Sequence, residues 1–99
     1  MSKLQKIKNY VIQKNYRISE HAQQELDADN LTQEDVENII LTGQIVKKYT
    51  HDPRGTRYLI NGNSRDGRIC YIVCRFLETG RLGIGTGYNE RSKHYENNK

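Results

Sequence analysis

Side chains suited to proton transfer and to phosphate binding recur along this sequence. His21, His51 and Tyr88 could move protons to or from a substrate. Four strand cations could hold phosphate and stabilise the charge of a phosphodiester under attack, namely Lys47, Lys48, Arg57 and Arg75. These residue types would suffice for metal-free cleavage of RNA, in which the 2′-hydroxyl attacks the neighbouring phosphate.

His21 stands near the start of a predicted helix in the stretch RISEHAQQEL. With Ser19 as the N-cap, His21 occupies the second helical position, where the helix dipole opposes positive charge. The neutral imidazole is then favoured, and it could act as a base or as a hydrogen-bond donor. The structural alternative is a half-buried ring bonded to the backbone, or paired with Glu25 one turn further on.

The strand cations also have a structural alternative. Alternation along a strand places Arg75 on the face of Tyr71 and Val73, and Arg57 on the face of Leu59. Each arginine could instead be an edge cation whose stem covers apolar surface. Lys47 and Lys48 point to opposite faces, so at most one of them belongs to a given site.

Gly83, Gly85 and Gly87 form a G-x-G-x-G pattern, but it lies on the last predicted strand and no helix need follow. A dinucleotide-binding loop requires a strand, a tight turn and then a helix, so that function is rejected. Strict alternation predicts that the glycines share one face and permit close helix packing. The opposite face would then carry Leu82, Ile84, Thr86 and Tyr88. No nucleophile elbow and no Cys-His or His-His metal spacing occurs, so we expect neither a metal nor a cofactor.

Charge is unevenly distributed along the 99 residues, which are enough for one domain, 1–99. Residues 19–38 are rich in acid, whereas basic residues collect in the first 17 positions and again from Lys47 to Arg81, a run that includes Arg54. The net charge is +4. A basic sheet beside acidic helices suits a polyanion or an acidic protein segment on one side. Ordinary solubilising charge is the alternative.

The cysteines and the hydropathy predict a cytoplasmic protein. Cys70 and Cys74 would lie about 13 Å apart on one strand, too far for a disulfide or a shared metal ion, and are expected to be buried and reduced. No segment is apolar enough to span a membrane, and the N-terminus lacks the features of a signal peptide. Reduced thiols fit the cytoplasm.

Three helices are predicted in the first half of the chain. Apolar residues at helical spacing mark an amphipathic helix over residues 3–14, and Ser19 caps a second helix with Ala22 and Leu26 on one face. The third helix starts at Thr32, with Asp35 placed to reach back to the cap, and stops at Gly43.

After Gly43 the apolar period changes to two. Strands are predicted over 44–50, 56–61, 68–77 and 82–88, with a turn at DPRG, and the third of them is expected to be central. Residues 89–99 form a polar tail, either frayed helix or disordered chain. The order of elements predicts an α+β domain, with helices on one face of a curved antiparallel sheet of about four strands.

The pattern over residues 17–88 resembles the DUF4258 family of small bacterial proteins. The resemblance rests on the order and spacing of ISEHAQQEL, LTQEDVENII, GQIVKKY, RGTRYLINGN, DGRICYIVC and GRLGIGTGY. It implies a RelE-like, barnase-type ribonuclease fold, shared with toxins of the BrnT and MqsR types. In the MqsR type a lysine lies near the position of Lys47 or Lys48, and another stands near the position of Tyr88.

The resemblance implies a toxin of a bacterial toxin–antitoxin pair, a metal-independent endoribonuclease that cleaves mRNA, on the ribosome or free of it. Its partner would be a cognate antitoxin, of the zinc-finger type in many such pairs. The expected catalytic residues are His21, Arg57, Arg75 and Tyr88, and the expected RNA-binding residues are Lys47, Lys48, Arg54 and Thr86. The alternative is a non-catalytic RNA- or protein-binding module of the same fold.

Overall fold

Three helices cover one face of a five-stranded mixed sheet in the computed structural model, which describes residues 2–92. The helices are α1 (Lys3–Ile12), α2 (Glu20–Ala28) and α3 (Gln33–Thr42). The strands are β1 (Tyr16–Ile18), β2 (Gln44–Tyr49), β3 (Arg57–Asn63), β4 (Ile69–Phe76) and β5 (Leu82–Asn89). The predicted α+β class is confirmed. The prediction for residues 93–99 of the tail lies outside the described residues.

The helices begin where their capping side chains stand. Ser19 Oγ accepts a hydrogen bond from the Ala22 amide at 3.1 Å. The capping box of α3 is complete, because Thr32 Oγ1 accepts from the Asp35 amide and the Asp35 carboxylate accepts from the Thr32 amide. Each of these bonds satisfies an amide that the first helical turn leaves without a partner, so the predicted starts are confirmed.

Gly43 ends α3 for a different reason from the one expected. Its backbone is extended, with φ −94° and ψ 176°, and is therefore not in the left-handed conformation of a glycine C-cap. A Cβ at Gly43 would lie 2.6 Å from the Ile39 carbonyl oxygen, and one at Gly62 would overlap that same oxygen. The two glycines allow the end of α3 to lie directly on β3.

The sheet order is β1-β5-β4-β3-β2, so β4 is the central strand, as predicted. The segment NYRI, interpreted from the sequence as a link, forms β1 and pairs in parallel with β5. The other pairings are antiparallel. This short strand raises the number of strands from about four to five.

The core lies between the helices and one face of the sheet. Its fully buried side chains come from every helix and from the inner strands, and include Ile7, Val11, Ala22, Leu26, Ile39, Ile40, Ile60, Ile72, Leu82 and Ile84. Burial of this apolar surface is the main source of stability. Within residues 2–92, no helix is both long and apolar enough to cross a membrane.

Candidate nucleic-acid interface

The face of the sheet that points away from the helices carries most of the predicted site. We call it the open face. Its side chains come from all five strands, namely Arg17 of β1, Lys47 and Tyr49 of β2, Arg57, Leu59 and Asn61 of β3, Tyr71, Val73 and Arg75 of β4, and Thr86 and Tyr88 of β5. The alternate residues of β3, β4 and β5 pack into the core, among them Tyr58, Ile60, Cys70, Ile72, Cys74, Leu82 and Ile84.

Three arginines lie in one row across the open face. Tyr58 is opposite Cys74, which places Arg57 beside Arg75. Arg75 is in turn opposite Gly83, and Gly83 is opposite Arg17 of β1. Because neighbouring strands are about 4.8 Å apart, the row extends about 14 Å from Arg57 to Arg17.

A cleft of about 350 Å³ lies over this row. Its charged lining residues are Arg17, Arg54, Arg57 and Arg75. No carboxylate lines the cleft in the part of the chain that the structure describes. Arg17 and Arg75 have no carboxylate partner within residues 2–92. Like charges on neighbouring strands repel, so the cleft favours an anion between them.

Gly83 shapes one wall of the cleft. A Cβ at this position would lie 2.8 Å from Leu77 Cδ2, so the missing side chain leaves room for Leu77 to fold over the strand from the β4–β5 turn. Leu77 also lines the cleft. The space between Arg75 and Arg17 is therefore bounded by apolar surface, which strengthens the attraction of the guanidinium groups for an anion.

A second, shallower depression of about 630 Å³ adjoins the cleft and shares Arg54 and Arg57 with it. Its other lining residues come from β2 and the following turn, namely Lys47, Lys48, Tyr49, Thr50, His51, Asp52 and Pro53. The two depressions form one continuous basic surface, long enough for an extended polyanion.

Asp52 organises the turn between β2 and β3. Its carboxylate accepts a hydrogen bond from the Arg54 amide at 2.8 Å, and the Gly55 amide donates to its carbonyl at 3.0 Å. This is the turn predicted for DPRG, and it is confirmed. The amide and guanidinium of Arg54, together with the nearby Arg57, hold the pKa of Asp52 below its ordinary value. The carboxylate therefore stays ionised and positions two of the cleft arginines.

Arg57 is only partly satisfied by this contact. Its Nε atom lies 3.1 Å from Asp52 Oδ2, close enough for an ion pair but without the geometry of a hydrogen bond. The Nε atom is buried and has no hydrogen-bond partner among the described residues. Its guanidinium lies 5.0 Å from the ring centre of Tyr49, which Lys47 Nζ also approaches at 5.1 Å. Tyr49 and Asp52 thus hold Arg57 from two sides.

A bulge in β5 corrects the strict alternation expected for this strand. Val73 pairs with Thr86 whereas Cys74 pairs with Ile84, so Gly85 is an extra residue. Leu82 and Ile84 face the core, but Thr86 and Tyr88 lie on the open face, and Gly87 turns toward Leu26 of α2 and Ile72. The prediction of one face shared by all three glycines is wrong, because a one-residue bulge reverses the alternation.

Four of the predicted site residues lie together in the cleft, namely Arg54, Arg57, Arg75 and Thr86. Lys47 and Lys48 both line the adjoining depression, so the expectation that at most one of them belongs to a given site is wrong: at the edge strand β2 both long side chains reach the same depression. Their register confirms that they point to opposite faces, because Lys47 pairs with Leu59 and Lys48 with the buried Tyr58.

His21 and Tyr88 do not line either depression. The side chain of His21 is 70% exposed, and its Nε2 lies 3.5 Å from Glu25 Oε1, which also accepts from the Gly87 amide at 3.3 Å. Tyr88 is 8% exposed and stacks on Tyr71 with the ring centres 5.5 Å apart. Catalytic roles for these two residues stay predictions.

Two residues of this surface were missed by sequence reasoning. Arg17 joins the row only because β1 pairs in parallel with β5, a contact between distant parts of the chain that local periodicity does not contain. Asp52 had a local signal, since Asp is favoured at the first position of a turn with Pro next. Its role as a partner of two arginines depends on the position of β3.

Comparison with known proteins finds one matching family. A family described as a domain of unknown function, DUF4258, matches residues 18–84. No curated protein and no solved structure matches the chain. Within residues 2–92, no group of three or more His, Cys, Asp or Glu side chains could hold a metal ion.

Proposed function

Since the chain belongs to the DUF4258 family, whose function is unknown, we propose from the geometry of its open face that it binds single-stranded RNA there. The observation that carries the proposal is the row of Arg57, Arg75 and Arg17 beneath a cleft that no carboxylate of residues 2–92 lines. A row of fixed cations beside an aromatic ring is typical of surfaces that follow a nucleic-acid backbone. Tyr49, beside Arg57 and Lys47, supplies that ring.

A single strand suits this surface better than a duplex. The row crosses the strands of the sheet and continues past Arg54 into the depression around Lys47. It is a path along the surface that an extended single strand can follow with successive phosphates. Each arginine would contact a phosphate and contribute affinity without reading the base sequence.

Cleavage of the bound RNA is the activity we propose at the same surface. The neighbouring guanidinium groups of Arg57 and Arg75 would stabilise the extra negative charge of the phosphorane, which forms as the 2′-hydroxyl attacks. A toxin role in a toxin–antitoxin pair, a cytoplasmic location and a cognate antitoxin follow from the family resemblance and stay predictions.

Arg75→Gln tests the binding proposal. Arg75 is central in the row and has no carboxylate partner in the described chain, so its loss should remove a phosphate contact and leave the core intact. We expect weaker binding of a short single-stranded RNA, and a slope of log Kd against log salt that is lower by about 0.7. Fluorescence anisotropy over a range of salt concentrations measures both.

Arg65→Gln is the matched control. Arg65 lies in the exposed β3–β4 loop, so this variant removes the same charge without changing the cleft. Equal loss of affinity in both variants would show that net charge alone, and not the arginine row, attracts RNA. Unchanged affinity in Arg75→Gln would reject the open face as the binding surface.

A further inference from the structure

Chemistry on RNA at the open face needs a group that exchanges protons near neutral pH, and the cleft itself offers none. The described residues that line it are arginines, Ser19, Thr86, glycines and apolar side chains, together with Cys74. Burial raises the pKa of the Cys74 thiol to about 12. Serine and threonine hydroxyls do not ionise near neutrality. The cleft therefore has cations for a phosphate, but its described residues include no group that could take a proton from RNA near neutral pH.

The adjoining depression contains an imidazole. Among the described side chains that line the two depressions, His51 is the one histidine. Imidazole is the side chain that accepts and releases protons near neutral pH. His51 is exposed and lines the depression. It is therefore available to a bound molecule.

His51 directly adjoins the turn that holds two of the arginines proposed to bind phosphate. His51 directly precedes Asp52, whose side chain and carbonyl bind the Arg54 and Gly55 amides and whose carboxylate contacts Arg57. The other charged groups of the depression are Lys47 and Lys48 on β2 and Arg54 in the turn. A phosphate held by Arg54 and Arg57 would thus lie at the boundary between the cleft and His51.

We propose that His51 is the catalytic base for RNA cleavage at this surface, an inference that rests on the proposed function. His51 accepts the proton of the ribose 2′-hydroxyl as its oxygen bonds to phosphorus. The bond from phosphorus to the 5′ oxygen of the next nucleotide breaks, and that oxygen takes a proton from water. The products are a 2′,3′-cyclic phosphate and a 5′-hydroxyl, and His51 then releases its proton to solvent.

His51 lies at a different end of the sheet from His21. His21 belongs to α2, which packs beside β5, whereas His51 follows β2 at the opposite edge. His21 is also next to a carboxylate that accepts from the Gly87 amide, and it does not line the cleft. Of the two histidines within residues 2–92, His51 is the one that adjoins the arginines proposed to bind phosphate.

His51→Gln tests the inference on the full chain, with a short single-stranded RNA and its 2′-deoxy counterpart as substrates. We expect the wild-type protein to cleave only the RNA and to leave 2′,3′-cyclic phosphate ends, identified by mass spectrometry. The variant should still bind RNA and melt at the same temperature, but cleave about 10²-fold or more slowly. It should also lose the fall in rate that the wild type shows below neutral pH.

The outcomes separate this inference from the proposed function. If the wild type binds RNA through Arg75 but yields no cyclic phosphate, the His51 assignment is wrong and RNA binding stands. If RNA does not bind, the proposed function fails, and the inference fails with it. Cleavage that persists in His51→Gln with the same pH dependence, or that is lost only in His21→Gln, overturns the assignment.

Discussion

Arginines of this chain differ in role because their partners differ. Arg68 donates to the carbonyls of Asp29 and Asn30 at 2.7 and 3.0 Å, and so caps the end of α2. Arg57 is held by Asp52, whereas Arg75 has no carboxylate partner in the described chain. The sequence placed Arg57 and Arg75 on strands, but it could not separate structural from functional arginines, because the partners come from other elements.

Asp35 is the residue whose ionisation should affect stability most clearly. It is 7% exposed, and it accepts from the amides of Thr32 and Arg65 at 2.9 Å each and from the Thr32 hydroxyl at 3.1 Å. Burial alone would raise its pKa, but these hydrogen bonds, with the nearby Arg68, outweigh burial and lower the pKa from its ordinary value of 3.8. The ionised form therefore stabilises the folded state.

The sign of the pH dependence follows from the lowered pKa. A carboxyl group with a lower pKa in the folded state stabilises the protein fully above the unfolded pKa of about 4. That stabilisation is lost as the pH falls through the folded value. Asp35→Asn should cost about 1.5–3 kcal/mol of unfolding free energy at neutral pH, because bonds to a charged acceptor are lost.

Urea unfolding of wild type and Asp35→Asn between about pH 7 and pH 2 measures this effect. We expect the difference between the two proteins to shrink as the pH falls below about 4. Glu34→Gln, an exposed change in the same helical turn, serves as the control for the general effect of removing a carboxylate. A difference that stays constant down to the acid limit would contradict the role of Asp35 ionisation.

Elements were predictable from the sequence where their signals are local. The caps of α2 and α3 consist of residues three apart, and the two-residue period marks each antiparallel strand. The parallel strand β1 and the bulge at Gly85 were not predictable, because both depend on pairing with a distant strand. The bulge determines which side chains of β5 lie on the open face, because it places Thr86 and Tyr88 there.

The bulge also predicts different effects of two glycine substitutions on the same strand. A Cβ at Gly87 would lie 2.8 Å from Leu26 Cδ2 and 2.9 Å from Ile72 Cδ1, whereas a Cβ at Gly85 meets nothing within 4 Å. Gly87→Ala should therefore lower the unfolding free energy by about 1–3 kcal/mol through overpacking against α2. Gly85→Ala should remain within about 0.5 kcal/mol of wild type. The urea unfolding midpoints of Gly85→Ala and Gly87→Ala measure the difference. Equal midpoints would contradict the bulge and favour strict alternation along β5.

At the scale of the whole molecule, the acid-rich segment and the arginine row lie on different sides of the sheet. The acid-rich residues 19–38 form α2 and α3 on the helical side, where α1 also carries Lys3, Lys6 and Lys8, while the arginine row lies on the open face. The open face is therefore the side that we propose for a polyanion. Composition alone indicated this asymmetry, but the pairing of β1, β5, β4 and β3 was needed to align the arginines in one row.

The two cysteines provide a measure of how cooperatively this whole molecule opens. Cys70 and Cys74 are free and at most 1% exposed on the core side of the central strand β4, and burial raises their pKa values to about 11 and 12. Because only thiolates react, both should resist Ellman's reagent at neutral pH until the strand opens. Since β4 has a partner strand on each side, its opening requires global unfolding, so urea should accelerate labelling of both thiols to the same extent.

Cys70→Ala and Cys74→Ala each leave one thiol, so the labelling of each position can be followed separately. Fast labelling of one thiol without urea would show that part of the sheet opens independently of the rest.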